Sequence, residues 1–258
     1  MTAVFVVAMV FILLTGSFFY FAGKNKGNNH IVPENTEALL LANVAFYKEL
    51  DEDKRQLFAA RAKDFLADVA VKGIEVDITP ADRILVAAGA IIPIFAFSDW
   101  KYRNISEVLL YRGAFNKKFE TDGEERNVLG MVGDGAMHRV MIMSLPSLRA
   151  SFANPTDGHN TAIHEFAHLI DKADGAVDGV PEYLLQRPHI LPWVKEMHKE
   201  MAILRHKKHP DINTYGATSD AEFFAVVAEY LFERPEKLKA AHPELYELLD
   251  EMFQPVQK

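Results

Sequence analysis

The sequence predicts an α+β domain behind one N-terminal membrane helix. Three observations predict it. The first residues form a long apolar run without a charge. Short β-like segments then alternate with helical patterns. From Thr161 onward the pattern is mostly helical, which suggests a small sheet packed against helices.

The window from Ala3 to Ala22 is apolar except at Thr15, Gly16 and Ser17. Such a helix rises about 30 Å, enough to cross the hydrocarbon core. A cleaved secretory leader is the rival reading, and with it a secreted protein. The missing basic n-region and the renewed apolar run from Phe18 to Phe21 favour an uncleaved anchor. Lys24 and Lys26 follow the span, so the positive-inside rule places the body in the cytoplasm. The expected organisation is therefore an anchor over 1–23, a polar linker over 24–36 and a folded domain over 37–258.

Within that domain, Glu37 to Leu66 carries apolar residues at mixed three and four spacings, a helical pattern. Ile74, Val76 and Ile78 alternate, as in a short strand. Ala81 to Phe97 reads as a buried helix interrupted by Pro93 and ending in a loop. Val108 to Tyr111 and Val140 to Met143 read as buried strands, and the glycine-rich, acidic stretch Thr121 to Gly135 as a hairpin or mobile loop. Met141, Ile142 and Met143 are candidates for the strand that edges a peptide-binding cleft; the alternative is a covered core strand.

Composition narrows the chemistry. Hydrophobic residues make up 49% and charged residues 25%, which is ordinary globular usage. The net charge of −8 gives no general attraction to nucleic acid, so no direct nucleic acid binding is expected. The absence of cysteine excludes disulfides, thiolate metal sites and a catalytic thiol. A metal site must use His, Asp, Glu, Tyr or water.

His164-Glu165-Phe166-Ala167-His168 meets that condition. Asn160 or Thr161 can cap a helix there, and Ile163, Ala167 and Ile170 supply its apolar face. Histidines four apart project from one face of a helix, so both imidazoles can bind one ion. Neutral imidazoles with a carboxylate suit zinc. Glu165 follows the first histidine by about 100° of rotation, which sets it beside the ion, where it can take a proton from an attacking water.

A catalytic zinc takes three protein ligands. One class of zinc peptidase continues with glycine and then histidine at positions occupied here by Asp171 and Asp174, so that class fails. The alternative is a glutamate on a later helix, and Glu222 heads the apolar segment Ala221 to Tyr230. Glu229, two turns on, is either a support for a ligand histidine or an ordinary surface acid. Asp171 lies about one turn beyond His168 and is placed to support it. Tyr215 is either a stabiliser of a developing oxyanion or a packed tyrosine. The remaining features are read blandly. Asp171, Asp174 and Asp178 form a helix end and turn, and His206 to His209 a solvated helix end. Asn104-Ile105-Ser106 is a glycosylation sequon that a cytoplasmic body would not use.

Taken in order, the H-E-F-A-H-x-x-D segment, the Asp178-Gly179-Val180-Pro181 turn and the stretch from Tyr215 through Glu222-Phe223-Phe224-Ala225 resemble the Mlc titration factor A family of zinc peptidases. The segments Arg83 to Phe97, Trp100 with Tyr102, Val108 to Phe115 and Pro243 to Pro255 extend the resemblance to about residues 37–255. That family is similar to the anthrax lethal factor catalytic domain around its metal, which implies a zincin-like, gluzincin-type fold. The resemblance implies one catalytic Zn2+ held by His164, His168 and Glu222. It implies Glu165 as general base and Tyr215 as transition-state stabiliser. It also implies aminopeptidase-like hydrolysis and binding to a glucose-responsive transcriptional repressor. The N-terminal span departs from the soluble members of the family. A second reading follows, in which the domain is a binding module that sequesters a repressor or other partner and any hydrolysis is incidental.

Overall fold

The computed structural model describes residues 30–97, 99–116, 121–122, 128–133, 138–185, 187–206 and 211–254. The expected anchor over 1–23 and most of the linker lie outside the described residues. Among the described residues no helix is long and apolar enough to cross a membrane.

The chain enters through α1 (Thr36–Asn43), α2 (Ala45–Glu49) and α3 (Glu52–Asp68). The single helical pattern expected from Glu37 to Leu66 is thus three helices. The chain turns extended at Val44 and Leu50, and the Asp51 side chain accepts the Lys54 N–H to start α3 afresh. Strand β1 (Ala70–Ile74) lies upstream of the expected alternation. Ala70 and Val71 are buried, and Glu75 turns to a positive φ of 55°, which ends the strand before Val76. Helix α4 (Pro80–Ile94) starts at a capping box between Thr79 and Asp82. Pro93 sits in its last turn, so the helix ends there without a kinked continuation.

Strands β2 (Ile105–Tyr111), β3 (Gly130–Val132) and β4 (Arg139–Ser144) complete a four-stranded sheet of order β1-β2-β4-β3. β1, β2 and β4 run parallel, and β3 pairs antiparallel with β4. This corrects the placement of Met141 to Met143 at a cleft edge: β4 is covered on both sides by β2 and β3, and these three side chains are buried. The edge strand on this side of the sheet is β3, which comes from the stretch expected to be a hairpin or loop.

The second half is helical: α5 (Leu145–Ala153), α6 (Thr161–Asp171), α7 (Arg187–His206), α8 (Asp220–Glu233), α9 (Pro235–Ala241) and α10 (Pro243–Phe253). α4 is the central helix and is buried almost throughout. It meets α6 where Gly89 faces Ala162. A Cβ on Gly89 would lie 2.4 Å from that of Ala162, so only glycine allows this approach. Phe166 packs with Phe65 and Tyr102, which fixes α6 to the first half of the domain. On the other side Trp193 packs with Phe223 and Phe224, tying α7 to α8. One hydrophobic core runs through all these contacts. The architecture is a helix-rich α+β domain with a small mixed sheet.

Candidate metal centre and cleft

α6 exists because its apolar positions fall on one face and because Asn160 caps it. The Asn160 side-chain oxygen accepts the Ile163 N–H at 3.1 Å. α8 starts in the same way, with the Ser219 hydroxyl accepting the Glu222 N–H at 3.2 Å. The two helices pack together and bring His164 and His168 from one against Glu222 from the other.

The three side chains converge on one point. His164 Nε2 lies 3.0 Å from Glu222 Oε2 and 3.2 Å from His168 Nε2, and His168 Nε2 lies 3.4 Å from the same oxygen. A tetrahedral zinc with ligands at about 2.0–2.1 Å has edges of about 3.3 Å between ligand atoms. The triangle therefore has the size of one face of such a site. Its chemistry fits as well. Glu229 Oε1 lies 2.6 Å from His164 Nδ1 and accepts its proton, which leaves the Nε2 lone pair aimed at the common point. Two imidazole nitrogens facing each other at 3.2 Å cannot both offer lone pairs without a cation between them. Without a metal the same geometry works on protons. Burial opposes charge on His164, but its bonds to Glu222 and Glu229 outweigh it and raise its pKa well above the usual range. Burial likewise opposes charge on Glu222, and the two histidines hold it well below the usual carboxylate range.

Glu165 lies in the same cleft, 4% exposed, and burial raises its pKa. The cleft encloses about 840 Å³ between α6, α8 and the edge strand β3. Tyr215, from the 3-10 turn Thr214–Ala217, stands at its mouth, 52% exposed, and its hydroxyl donates to Glu222 Oε1 at 3.3 Å. One carboxylate oxygen of Glu222 thus faces the histidines while the other faces Tyr215. All five expected site residues line this cleft.

The supporting residues divide. Glu229 is buried at the base of His164 and also accepts the Asn160 N–H at 2.6 Å. It is no surface acid. Asp171, expected behind His168, is turned elsewhere: its Oδ2 accepts the Gly179 N–H at 3.0 Å. His168 Nδ1 and Asp171 Oδ1 are both buried without a hydrogen-bond partner among the described residues. Sequence reasoning missed Glu233. It accepts the N–H groups of Gly158 and His159 and the Asn160 side-chain amide. Glu229 and Glu233 stand one turn apart on α8 and together grip the segment that opens α6. The spacing of 222, 229 and 233 along one helical face is the signal that could have found it.

Other histidines and acids are accounted for locally. His189 pairs with Glu251 and His198 with Asp220. Asp174 and Asp178 accept nearby backbone N–H groups in turns, as expected. The Asn104 side chain donates to the Leu169 carbonyl at 2.7 Å, so the sequon asparagine ties the β2 approach to α6. The end of the His206 to His209 cluster lies outside the described residues.

Comparison with known proteins agrees with this geometry. Residues 21–254 match the family described as glucose-regulated metallo-peptidase M90. An uncharacterized protein of Synechocystis sp. is 29% identical over 232 residues, covering 86% of this chain and 84% of the relative. Mlc titration factor A of Klebsiella pneumoniae is 26% identical over 233 residues, covering 84% of each chain. Mlc titration factor A of Pectobacterium atrosepticum is 26% identical over 220 residues, covering 79% of this chain and 80% of its own. The chain belongs to the glucose-regulated metallopeptidase M90 family, to which the Mlc titration factor A proteins are its relatives.

Proposed function

We propose that this protein is a zinc-dependent peptidase with an aminopeptidase-like action, carried by residues 37–258 and tethered to the membrane through residues 1–23 and a linker over 24–36. The observation that carries the reading is the convergence of His164, His168 and Glu222 beside a buried Glu165 in one cleft. His164, His168 and Glu222 hold one Zn2+. When bound, zinc acts as a Lewis acid toward the scissile carbonyl and lowers the pKa of water to about 7. Glu165 takes the proton of the attacking water and delivers it to the leaving amine. Tyr215 leaves Glu222 to donate its hydroxyl to the developing oxyanion.

The edge strand offers the substrate a backbone. Leu129 O accepts from Ser144, and Gly133 N donates to Val140. In an antiparallel ladder that alternation turns the N–H and C=O of Gly130 and Val132 away from β4. An extended peptide can pair with them as a further strand.

Hydrolysis of free and N-blocked peptides by the zinc-loaded full chain tests the reading. Cleavage lost on N-blocking is expected, and equal cleavage of both sets would remove the aminopeptidase assignment. The full chain is expected in alkali-washed membranes; recovery in the wash would contradict the anchor. The relatives' name, Mlc titration factor A, supports a second reading in which the domain binds a transcriptional regulator. Capture of a regulator that survives Glu165→Gln would favour it, because binding does not need the base.

A further inference from the structure

Glu165 is held by packing rather than by hydrogen bonds. No hydrogen bond fixes its carboxyl group among the described residues, and the side chain is nearly enclosed at 4% exposed. It lies instead against bare backbone. A Cβ on Gly130 would fall 2.3 Å from Glu165 Oε1, 2.5 Å from Cδ and 2.6 Å from Cγ. Real Cβ atoms do not approach other heavy atoms so closely, so a side chain at position 130 and Glu165 in its present place exclude each other. Backbone conformation does not call for glycine at that position. Its three nearest neighbours are all atoms of Glu165, and Gly130 is not among the glycines with positive φ. Its partner across the ladder is Met143, an ordinary strand residue.

We propose that Gly130 is a positioning residue for the general base. Its missing side chain makes the notch in β3 that seats the Glu165 carboxylate, and the walls of the notch set where the proton is taken. The inference rests on the reading of Glu165 as the base. It also has a steric content that does not depend on activity. The same residue presents its N–H and C=O on the side of β3 away from β4, so substrate backbone and general base would be indexed to one point of the strand.

The test is Gly130→Ala in the zinc-loaded full chain, alone and combined with Glu165→Ala. Truncating Glu165 removes the three atoms nearest to the new methyl group. Gly130→Ala alone is expected to lower kcat at least about tenfold, with KM within about twofold and zinc content unchanged. It is also expected to lower the melting temperature by roughly 5 °C. In the Glu165→Ala background the same substitution is expected to leave the melting temperature unchanged. Wild-type kcat in Gly130→Ala, or an equal loss of melting temperature in both backgrounds, would overturn the proposal. A wild-type chain that cleaves no peptide would instead refute the peptidase reading, and the melting comparison would still decide the notch. If Gly130→Ala does not fold, folding restored by Glu165→Ala supports the notch and failure in both backgrounds overturns it.

Discussion

Glu229 shows how much of the proposed metal site is decided by a residue outside the ligand triangle. It takes the proton of His164 Nδ1 at 2.6 Å and holds the first residue of the α6 cap at 2.6 Å. One buried carboxylate therefore sets the tautomer of one proposed ligand and the position of the helix that carries both histidines. Glu229→Gln keeps the shape but gives up the charge that would make His164 a stronger ligand for the proposed zinc. Zinc affinity, measured by competition with a chelator, should fall about 10–100-fold. Unchanged affinity would mean that His164 needs no support. Glu233 makes a different prediction. Burial, with repulsion from Asp157 and Glu229, lifts its carboxyl from 4.5 to about 7 against the bonds from Asn160 and Gly158. Burial likewise lifts Asp171 from 3.8 to about 6. An acid whose folded pKa exceeds its unfolded pKa binds more protons in the fold, so stability falls as pH rises between the two values. For Glu233 that window runs from about 4.5 to about 7. Glu233→Gln should flatten the decline of melting temperature across it by roughly 3 °C, leaving the part due to Asp171. An unchanged slope would contradict the shift. Asp82 has the opposite sign. Arg149 and Thr79 lower its pKa despite burial, so its contribution is lost on acidification.

At the scale of elements, the site is built where two capped helices cross beside a strand. Much of that was legible. The α6 histidines lie four apart in one helix, so helix geometry alone brings them together, and Asn160 is a recognisable cap. Glu222 depended on a packing between helices that no local pattern encodes, although its place at the head of an apolar segment marked it. The edge strand was not legible. Gly130–Val132 is three residues long, begins with glycine and has no alternation of apolar and polar side chains. β4 was more hydrophobic and so looked the better candidate, yet that hydrophobicity reflects burial between two neighbours. Asp171 also misled: its distance along the helix suggested His168, but the Gly179 amide claims it. The placement of β3 makes its own prediction. Peptides N-methylated at the residues that face Gly130 and Val132 should lose about tenfold in kcat/KM, and peptides methylated at the intervening residues should not. Equal loss at every position would argue against strand pairing.

Over the whole molecule, the domain places a packed scaffold behind the cleft. The aromatic cluster of Phe65, Tyr102 and Phe166 fixes one side of α6, and the Trp193 cluster fixes α8. The proposed chemistry is confined to a few side chains on that frame, and its sequence signal is correspondingly dense between His164 and Glu222. The family match starts at residue 21, so most of the apolar N-terminal window lies before it. The body can thus share its fold with its relatives while the proposed tether changes which partners reach it. Glu165 is proposed to take the proton in a zinc site that does not need Glu165 to bind zinc. The most direct measurement is peptide hydrolysis by the wild-type chain and by Glu165→Gln, with zinc content determined on the same samples. Equal zinc in both, with cleavage reduced about 10²–10⁴-fold in the variant, is the predicted result. Equal cleavage by the two proteins at equal zinc would contradict it.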